Sequence, residues 1–341
     1  MKRKSKLIIY WTVAVAIMGA IGALALWEYI SAPYEGPQAA WVYLPRETSR
    51  EAMRDSLCNS LGSRTAGRVM TLYRTMAKDS IPPFGAFRIE PGTSAAKIAR
   101  RIALGRQTPV SLTFNNIRTL DQLAARIARQ MEFSPDEFLA ACDSVLPRSG
   151  FSGREQFPAA FLPDTYEFYW TSPAGKTVER LLGVRNDFWN DTRRSQAAAL
   201  GLTPVEVATV ASIAEEETND AEERATVGRL YINRVKKGMK LQADPTVKFA
   251  LGDFSLRRIK GEHLKADSPY NTYRNKGLPP GPIRVATART LDAVLRSEPN
   301  NYIYMCAKED FSGRHNFATD YATHQANARR YQQALNKRGI H

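Results

Sequence analysis

Cysteine and histidine are scarce in this chain, three of the one and four of the other in 341 residues. Cys58, Cys142 and Cys306 are odd in number, far apart and outside any metal-like spacing. That excludes a disulfide framework and a cysteine zinc site, and leaves buried free thiols as the simplest account. His315 and His324 belong to no HExxH pattern and have no cysteine beside them, so neither a metal nor another cofactor is expected. No glycine-rich phosphate loop stands between a strand and a helix, which removes the nucleotide folds that motif signals. Acidic residues are the minority, 34 Asp+Glu against 48 Lys+Arg, for a net charge of +14. Lys2, Arg3, Lys4 and Lys6 supply four of those charges, and the remaining ten suit any anionic surface without naming one. With 43% hydrophobic residues, 21 Gly and 19 Pro, the composition is globular, and the length accommodates two domains.

Leu7 to Trp27 is a run of 21 residues without a charge. At about 1.5 Å per residue it is long enough to cross a hydrocarbon core of roughly 30 Å. It reads as a transmembrane helix over residues 7–27. The basic cluster before it places residues 1–6 in the cytoplasm and everything after Trp27 outside, with Trp11 and Trp27 at interfacial depth. The competing reading is a cleaved signal peptide, whose apolar region would be only about 7–15 residues and would end in a small-x-small site. An exported location removes nucleic acid as a partner.

Residues 28–40, with Pro33, Gly36 and Pro37, read as a linker. A pattern of strand end, turn, Ser/Thr cap and amphipathic helix follows. Leu44-Pro-Arg-Glu-Thr-Ser49 precedes a helix from Arg50, Ile89-Glu-Pro-Gly-Thr-Ser94 precedes one from Ala95, and Leu112 to Thr119 precedes one from Leu120. These predict small strand-helix units and an α+β fold. Beyond about residue 150 the loops lengthen and carry more Pro, Gly, Asn and Tyr, the kind of segment on which function is often carried. Phe161 to Trp170 holds five aromatic residues in ten, open between the lining of a sugar groove and a buried strand.

The chemistry concentrates on one helix. Thr203 caps it, Pro204 fits its first position and Glu206 completes a capping box. Val207, Val210, Ala211 and Ala214 define one buried stripe, and the helix ends in Glu215, Glu216 and Glu217. At about 100° per residue, Glu216 is expected to face solvent while Glu215 and Glu217 flank the stripe. Carboxylates at a helix C-terminus oppose the macrodipole, at about 0.3–1 kcal/mol each when exposed. At least one of Glu215 and Glu217 is therefore expected to hold its proton unusually tightly, as a general acid must; an acidic patch paired with arginines is the alternative. Asp220 is expected to cap the next helix with Glu223 in box position, with Val227, Leu230, Tyr231 and Val235 as its apolar face. Asp244 is expected to cap a short helix opened by Pro245 and stopped near Gly252. Ser268 to Tyr273 and Gly277 to Pro282 follow as a polar-aromatic loop and a stiff turn.

The blocks Ala211-Ser-Ile-Ala-Glu215-Glu-Glu217-Thr218, Ile232-Asn-Arg234, Gly238-Met-Lys-Leu-Gln-Ala-Asp-Pro-Thr246, Tyr270-Asn-Thr-Tyr273, Gly277-Leu-Pro-Pro280 and His315-Asn-Phe317 with His324 resemble the YceG-like family of membrane-anchored endolytic murein transglycosylases. The resemblance implies a small LysM-like α+β domain over 41–110 and a mainly helical, mixed α+β catalytic domain over 111–341. It also implies cleavage of the β-1,4 bond between N-acetylmuramic acid and N-acetylglucosamine in nascent peptidoglycan, without hydrolysis, leaving 1,6-anhydro ends that limit strand elongation. Glu215 matches the catalytic acid/base, and Glu217 a group that orients substrate or tunes Glu215, or a structural salt bridge. Asn233, Gln242 and Asp244 have the chemistry to hydrogen-bond sugar, or to cap and form turns. Tyr270, Asn271, Thr272 and Tyr273 offer the mixed aromatic and polar surface that a pyranose prefers. The partners implied are glycan strands, the inner membrane, with the catalytic domain in the periplasm, and peptidoglycan synthases. The alternative is a non-catalytic, membrane-anchored regulator of those synthases that binds peptidoglycan.

Overall fold

The structure, a computed structural model, describes residues 2–77, 83–256 and 258–338. The side chains of the expected cytoplasmic tail, residues 1–6, and of Leu7 lie outside the described set. The fold is mixed α+β and divides into two units. The first comprises residues 1–111 with 130–132 and 167–172, and the second comprises 112–129, 133–166 and 173–341. The division expected at 110/111 contained no such returns of later chain to the first unit.

In the first unit α1 (Lys2–Ser31) is followed by β1 (Ala40–Leu44), α2 (Arg50–Leu61), α3 (Ser63–Ala77), β2 (Gly85–Ile89) and α4 (Ala95–Ala103). Within α1, Ile8–Ser31 is long and apolar enough to cross a membrane, and its large apolar side chains are exposed. The expected linker is partly structured: Ala32 and Tyr34 are buried, Tyr34 N donates to Thr93 O (2.9 Å), Gly92 N to Tyr34 O (2.9 Å) and Ala95 N to Ala32 O (2.9 Å). The tyrosine ring has an apolar site to fill, and that fastens the segment after α1 to the turn before α4. β1 and β2 pair antiparallel, Val42 opposite Phe87, and bury Val42, Leu44, Phe87 and Ile89 in one core with α2, α3 and α4. Ser49 and Ser94 cap α2 and α4 as the sequence pattern requires. Ala95, Ile98, Ala99 and Ile102 form the buried stripe of α4.

β3 (Val110–Phe114), whose first two residues belong to the first unit, leads into α5 (Leu120–Ala128) and α6 (Pro135–Val145) of the second, and β4 (Asp164–Phe168), whose last two residues belong to the first, pairs with β3. Phe161, Leu162 and Tyr166 are buried and the Tyr166 hydroxyl donates to Leu162 O, so this part of the aromatic segment is core. Helices α7 (Ala174–Phe188), α8 (Asp191–Leu200), α9 (Pro204–Glu217), α10 (Arg224–Lys236), α11 (Asp244–Leu251) and α12 (Ala288–Leu295) follow. The hairpin of β5 (Tyr304–Ala307) and β6 (His315–Ala318) and then α13 (Tyr321–Lys337) complete the order.

The capping box of Thr203 and Glu206 starts α9 as expected. The single stripe does not describe it: every residue from Val207 to Glu215 is buried, because α8, α10, α11 and α12 pack around it. Two other starts differ from expectation. Glu223, not Asp220, precedes α10, because Asp220 Oδ1 accepts from Glu222 N in a turn, while the Glu223 carboxylate takes His315 N (2.8 Å) and lies 3.0 Å from His315 Nδ1. Ala243 precedes α11, and Asp244 is its first residue with a carboxylate engaged elsewhere.

Ser212, buried in α9, accepts from Ile283 N (3.0 Å) and so anchors the end of the proline-rich turn. Within that turn a Cβ on Gly281 would stand 1.9 Å from the Glu155 carbonyl oxygen, so only glycine allows this approach of two backbones. Gly281→Ala is expected to destabilise the protein by about 1–3 kcal/mol, the usual cost of overpacking, as a lower denaturation midpoint in urea. An unchanged midpoint would show that the turn yields freely.

Candidate active site

Successive residues of a helix diverge by about 100°, so Glu215, Glu216 and Glu217 leave the end of α9 in three directions. Each meets a different environment. Glu215 is buried; its Oε2 accepts from Thr287 N (3.0 Å) and Thr287 Oγ1 (3.1 Å), and its Oε1 lies 3.5 Å from Arg284 Nη2. Thr287 is the N-cap of α12, so the Glu215 charge also sits at the positive end of that helix.

Glu216 does not face solvent. Arg118 Nε and Nη2 donate to its two oxygens (2.9 and 3.0 Å), and Arg284 Nη1 donates to Oε1 (2.9 Å). The helical wheel correctly turns Glu216 away from the apolar stripe, but residues 116–118 and 283–287 cover that side. Two guanidinium groups at a helix C-terminus also offset its dipole.

Glu217 turns into a cavity of about 210 Å³ lined by Tyr231, Arg234, Gln242, Asp244, Tyr273 and Met305. Tyr231 donates from its hydroxyl to Glu217 Oε1 (2.8 Å). Burial pushes the Glu217 carboxyl up to about 7; the Tyr231 hydrogen bond, Lys248 and Arg234 pull the other way, and the Asp244 charge adds to the rise. Arg234 is held by backbone carbonyls, Nε to Ile303 O (2.6 Å) and Nη1 to Leu241 O (2.6 Å), with its guanidinium 5.6 Å from the centre of the Tyr304 ring.

Gln242 and Asp244 are exposed at the rim of the cavity. Gln242 takes a left-handed backbone (φ 50°), a conformation that costs a non-glycine residue on the order of 1–3 kcal/mol and clusters at functional sites. Asp244 Oδ1 accepts from the Tyr273 hydroxyl (2.6 Å), and burial raises the Tyr273 phenol above its ordinary range.

Four of the nine residues singled out in the sequence thus share one cavity: Glu217, Gln242, Asp244 and Tyr273. The other five are engaged elsewhere. Asn233 Nδ2 donates to Asn300 O and Tyr302 O, tying α10 to the chain before β5. Asn271 is buried and donates to Leu264 O and Ala266 O while accepting from Tyr273 N. Thr272, also buried, accepts from Ala243 N and shares a hydrogen bond with Thr246 Oγ1. Tyr270 packs on Phe249 with ring centres 4.6 Å apart. Glu215 is held as described above. Sequence reasoning missed Tyr231, Arg234, Thr287, Arg284 and Arg118. Tyr231 carried one signal, a hydroxyl on an apolar helix face that needs a partner when buried.

A family model described as the YceG-like family matches residues 42–330. Similar curated proteins include an endolytic murein transglycosylase of Bacillus subtilis, 27% identical over 242 residues, 66% of this chain and 67% of that protein. An endolytic murein transglycosylase of Streptococcus pneumoniae is 23% identical over 295 residues, 76% of this chain and 53% of that protein. The chain therefore spans about two thirds of the first relative and about half of the second. A solved structure of a YceG-like protein from Listeria monocytogenes superposes with a TM-score of 0.55 at 24% identity, covering 85% of this chain and 99% of that one.

The raised Glu217 pKa has a sign that stability measurements can read. An unfolded glutamate releases its proton near 4.5 and the folded one near 7, so stability present at low pH is lost as pH rises through about 7. Glu217→Gln keeps an acceptor for Tyr231 and removes the titration. The variant is expected to gain in melting temperature over the parent protein as pH rises from about 4.5 to about 7. A pH-independent difference would show that Glu217 titrates normally.

Proposed function

Since this chain belongs to the YceG-like family, we propose that it cleaves the β-1,4 bond between N-acetylmuramic acid and N-acetylglucosamine inside peptidoglycan strands without adding water. The observation that carries this reading is a carboxyl group that keeps its proton near neutral pH on the wall of a cavity otherwise lined by amide, phenol, guanidinium and carboxylate groups. The names of the related proteins support the same activity. Glu217, rather than the Glu215 expected from the sequence, is the acid/base in this mechanism. Glu215 is not part of the cavity wall, and its oxygens already face two Thr287 donors and Arg284.

Glu217 donates its proton to the glycosidic oxygen as the bond from C1 breaks, and the N-acetylglucosamine fragment leaves with a free hydroxyl. The resulting carboxylate then accepts the proton of the muramyl C6 hydroxyl while that oxygen bonds to C1. The product is a 1,6-anhydro end, the glutamic acid is restored, and atoms balance without water. A single carboxyl serves both transfers because leaving and attacking oxygens lie on one side of the ring, and a pKa near the working pH suits both directions. The Tyr231 hydroxyl steadies the carboxylate between the two steps. Gln242, Asp244 and Tyr273 hold the sugars, with Asp244 and Tyr273 fixed by their mutual hydrogen bond.

The apolar helix Ile8–Ser31 supports a single-pass anchor. The lysines and arginine before it favour a cytoplasmic N-terminus, a periplasmic catalytic unit and the inner membrane. A LysM-like role in glycan binding belongs to the first unit in this proposal, and peptidoglycan synthases are the partners that would supply the strands.

Glycan strands digested by the full chain in detergent are expected to yield 1,6-anhydromuramyl ends detectable by mass spectrometry. Glu217→Gln is expected to lower that rate about 10²–10⁴-fold, the scale of general acid-base catalysis. Glu215→Gln should instead lower the melting temperature and retain more activity than Glu217→Gln. The reverse order of activities would return the proton transfers to Glu215, and full activity in both variants would favour a non-catalytic regulator.

A further inference from the structure

In the first unit a groove of about 450 Å³ runs along α4, lined by Lys97, Arg100, Arg101, Leu104, Arg106 and Gln107. Four of the six are cations, and no carboxylate belongs to the lining. Lys97, Arg100 and Arg106 are exposed, and among the described residues none of the three has an ion pair or a side-chain hydrogen bond. Arg101 is half-buried and held by neutral acceptors alone: Nε donates to Arg106 O (3.2 Å), Nη1 to Arg88 O (3.1 Å) and Nη2 to Thr108 Oγ1 (2.8 Å). Its position is fixed and its charge is left uncompensated. The Gln107 carboxamide oxygen accepts from Thr171 Oγ1 (3.3 Å), which leaves the NH2 group as a further donor.

Helix energetics do not account for these cations. Lys97 is the third residue of α4 after the Ser94 cap, the place where a capping box puts glutamate and where Glu137 and Glu206 stand in α6 and α9. A cation there meets the positive end of the helix dipole. Arg106 lies beyond the helix, and only Arg100 and Arg101 occupy the last turn that the dipole favours. Lys97, Arg100, Arg101 and Leu104 stand at i, i+3, i+4 and i+7, so they share the face of α4 opposite its buried stripe.

The groove begins where the apolar helix ends. The 24 residues of Ile8–Ser31 make a rod of about 36 Å against roughly 30 Å of hydrocarbon, so Ser31 reaches the headgroup layer. Ala32, the next residue, accepts from Ala95 N (2.9 Å) at the start of α4, and Pro33 bridges to Ser94. Helix α4 also packs against α1. Lys97 is therefore within a turn of the point where the chain leaves the bilayer, and Leu104 is only about 10 Å further along the helix. Arg68 of α3 adds a cation at this end, its guanidinium 5.8 Å from the centre of the Tyr29 ring in the last turn of α1. Of the carboxylates near in sequence, Glu90 already faces Arg88 (3.3 Å), and Glu28 stands exposed on α1.

A surface of guanidinium, ammonium and NH2 donors without acceptors fits an anion, and a phosphate group accepts from several such donors at once. Because α1 holds the unit beside the bilayer, even weak contacts with its headgroups form at high effective concentration. Resting on the reading of α1 as a membrane anchor, we propose that the groove binds the phosphate groups of anionic lipids and seats the first unit on the bilayer at a second place beside α1. Leu104, exposed among the cations, meets the boundary between headgroups and acyl chains in this pose. The seat fixes which side of the first unit faces the lipid.

The test reads the acetylation rate of Lys97 by mass spectrometry in the full chain, reconstituted into nanodiscs of phosphatidylcholine alone or with about 30% phosphatidylglycerol. The anionic lipid is expected to slow Lys97 about tenfold, less as salt is raised, and to leave Lys237, exposed at the end of α10, unchanged. Arg100→Gln combined with Arg106→Gln should cut the protection to about threefold or less at the parent melting temperature, which shows that the variant is folded. Equal Lys97 rates in the two discs overturn the proposal, as does equal slowing of Lys97 and Lys237, the sign of a general surface potential. Undiminished protection in the double variant overturns it too. Inorganic phosphate that protects Lys97 as well in phosphatidylcholine discs would make the groove a site for a soluble anion. Protection by added glycan strands but not by phosphatidylglycerol would make it a wall-binding face, and either result replaces the lipid. Failure of the full chain to enter nanodiscs would sink the anchor reading and this proposal with it, while leaving the transglycosylase reading untouched.

Discussion

Three consecutive carboxylates at the C-terminal end of a buried helix oppose both the helix dipole and their own desolvation. The second unit resolves this conflict by treating each one differently. Glu215 is given the amide and hydroxyl of Thr287 with Arg284 nearby, and Glu216 is given both Arg118 and Arg284. Glu217 is given a neutral phenol and a cavity, and it keeps a proton. The partners come from the segment before α5, from α10 and from the segment before α12, so the ends of these elements must converge for the charges to be tolerated. Cations on two members also keep the third from being one of three competing anions.

The cavity owes its shape to a second, uncharged arrangement. Residues 272–273 hold residues 241–246 through the Thr272 hydroxyl and the Tyr273 phenol, while the Asn271 carboxamide braces that loop by accepting from Tyr273 N and donating to Leu264 O and Ala266 O. This clamp keeps Gln242 in a backbone conformation it would otherwise avoid, since Gln242 N donates to Thr272 O (3.2 Å). Polar residues that looked suited to bind sugar therefore divide into those that touch the cavity and those that hold it open. Asn271 and Thr272 are of the second kind, and their burial is what distinguishes them.

Features decided by neighbouring residues were legible in the sequence. Ser49, Ser94, Thr119 and Thr203 cap the helices that their spacing marks, because a cap involves only the next few residues. The start of the helix that ends in Glu215, Glu216 and Glu217 was legible for the same reason. The surroundings of Glu216 were not legible, because Arg118 and Arg284 reach it from 98 and 68 residues away. The different surroundings of Glu215 and Glu217 have the same origin. A helical wheel places both at the edge of a stripe, and only the position of Thr287, 72 residues on from Glu215, decides which side is closed. Asp220 and Glu223 failed as a cap for a related reason, since Arg314 and His315 on a distant hairpin claim them first.

The segment that follows α1 is sewn by backbone hydrogen bonds to the turn before α4, and Tyr34 belongs to the apolar core of the first unit. Anchor and first unit therefore share one mechanical body with no slack where they meet. A thermal roll of the helix in a bilayer would turn that unit with it. A cut in the largely exposed residues 35–38 would leave Tyr34 seated in the core, so breaking the chain and parting the helix from the unit become two separate events.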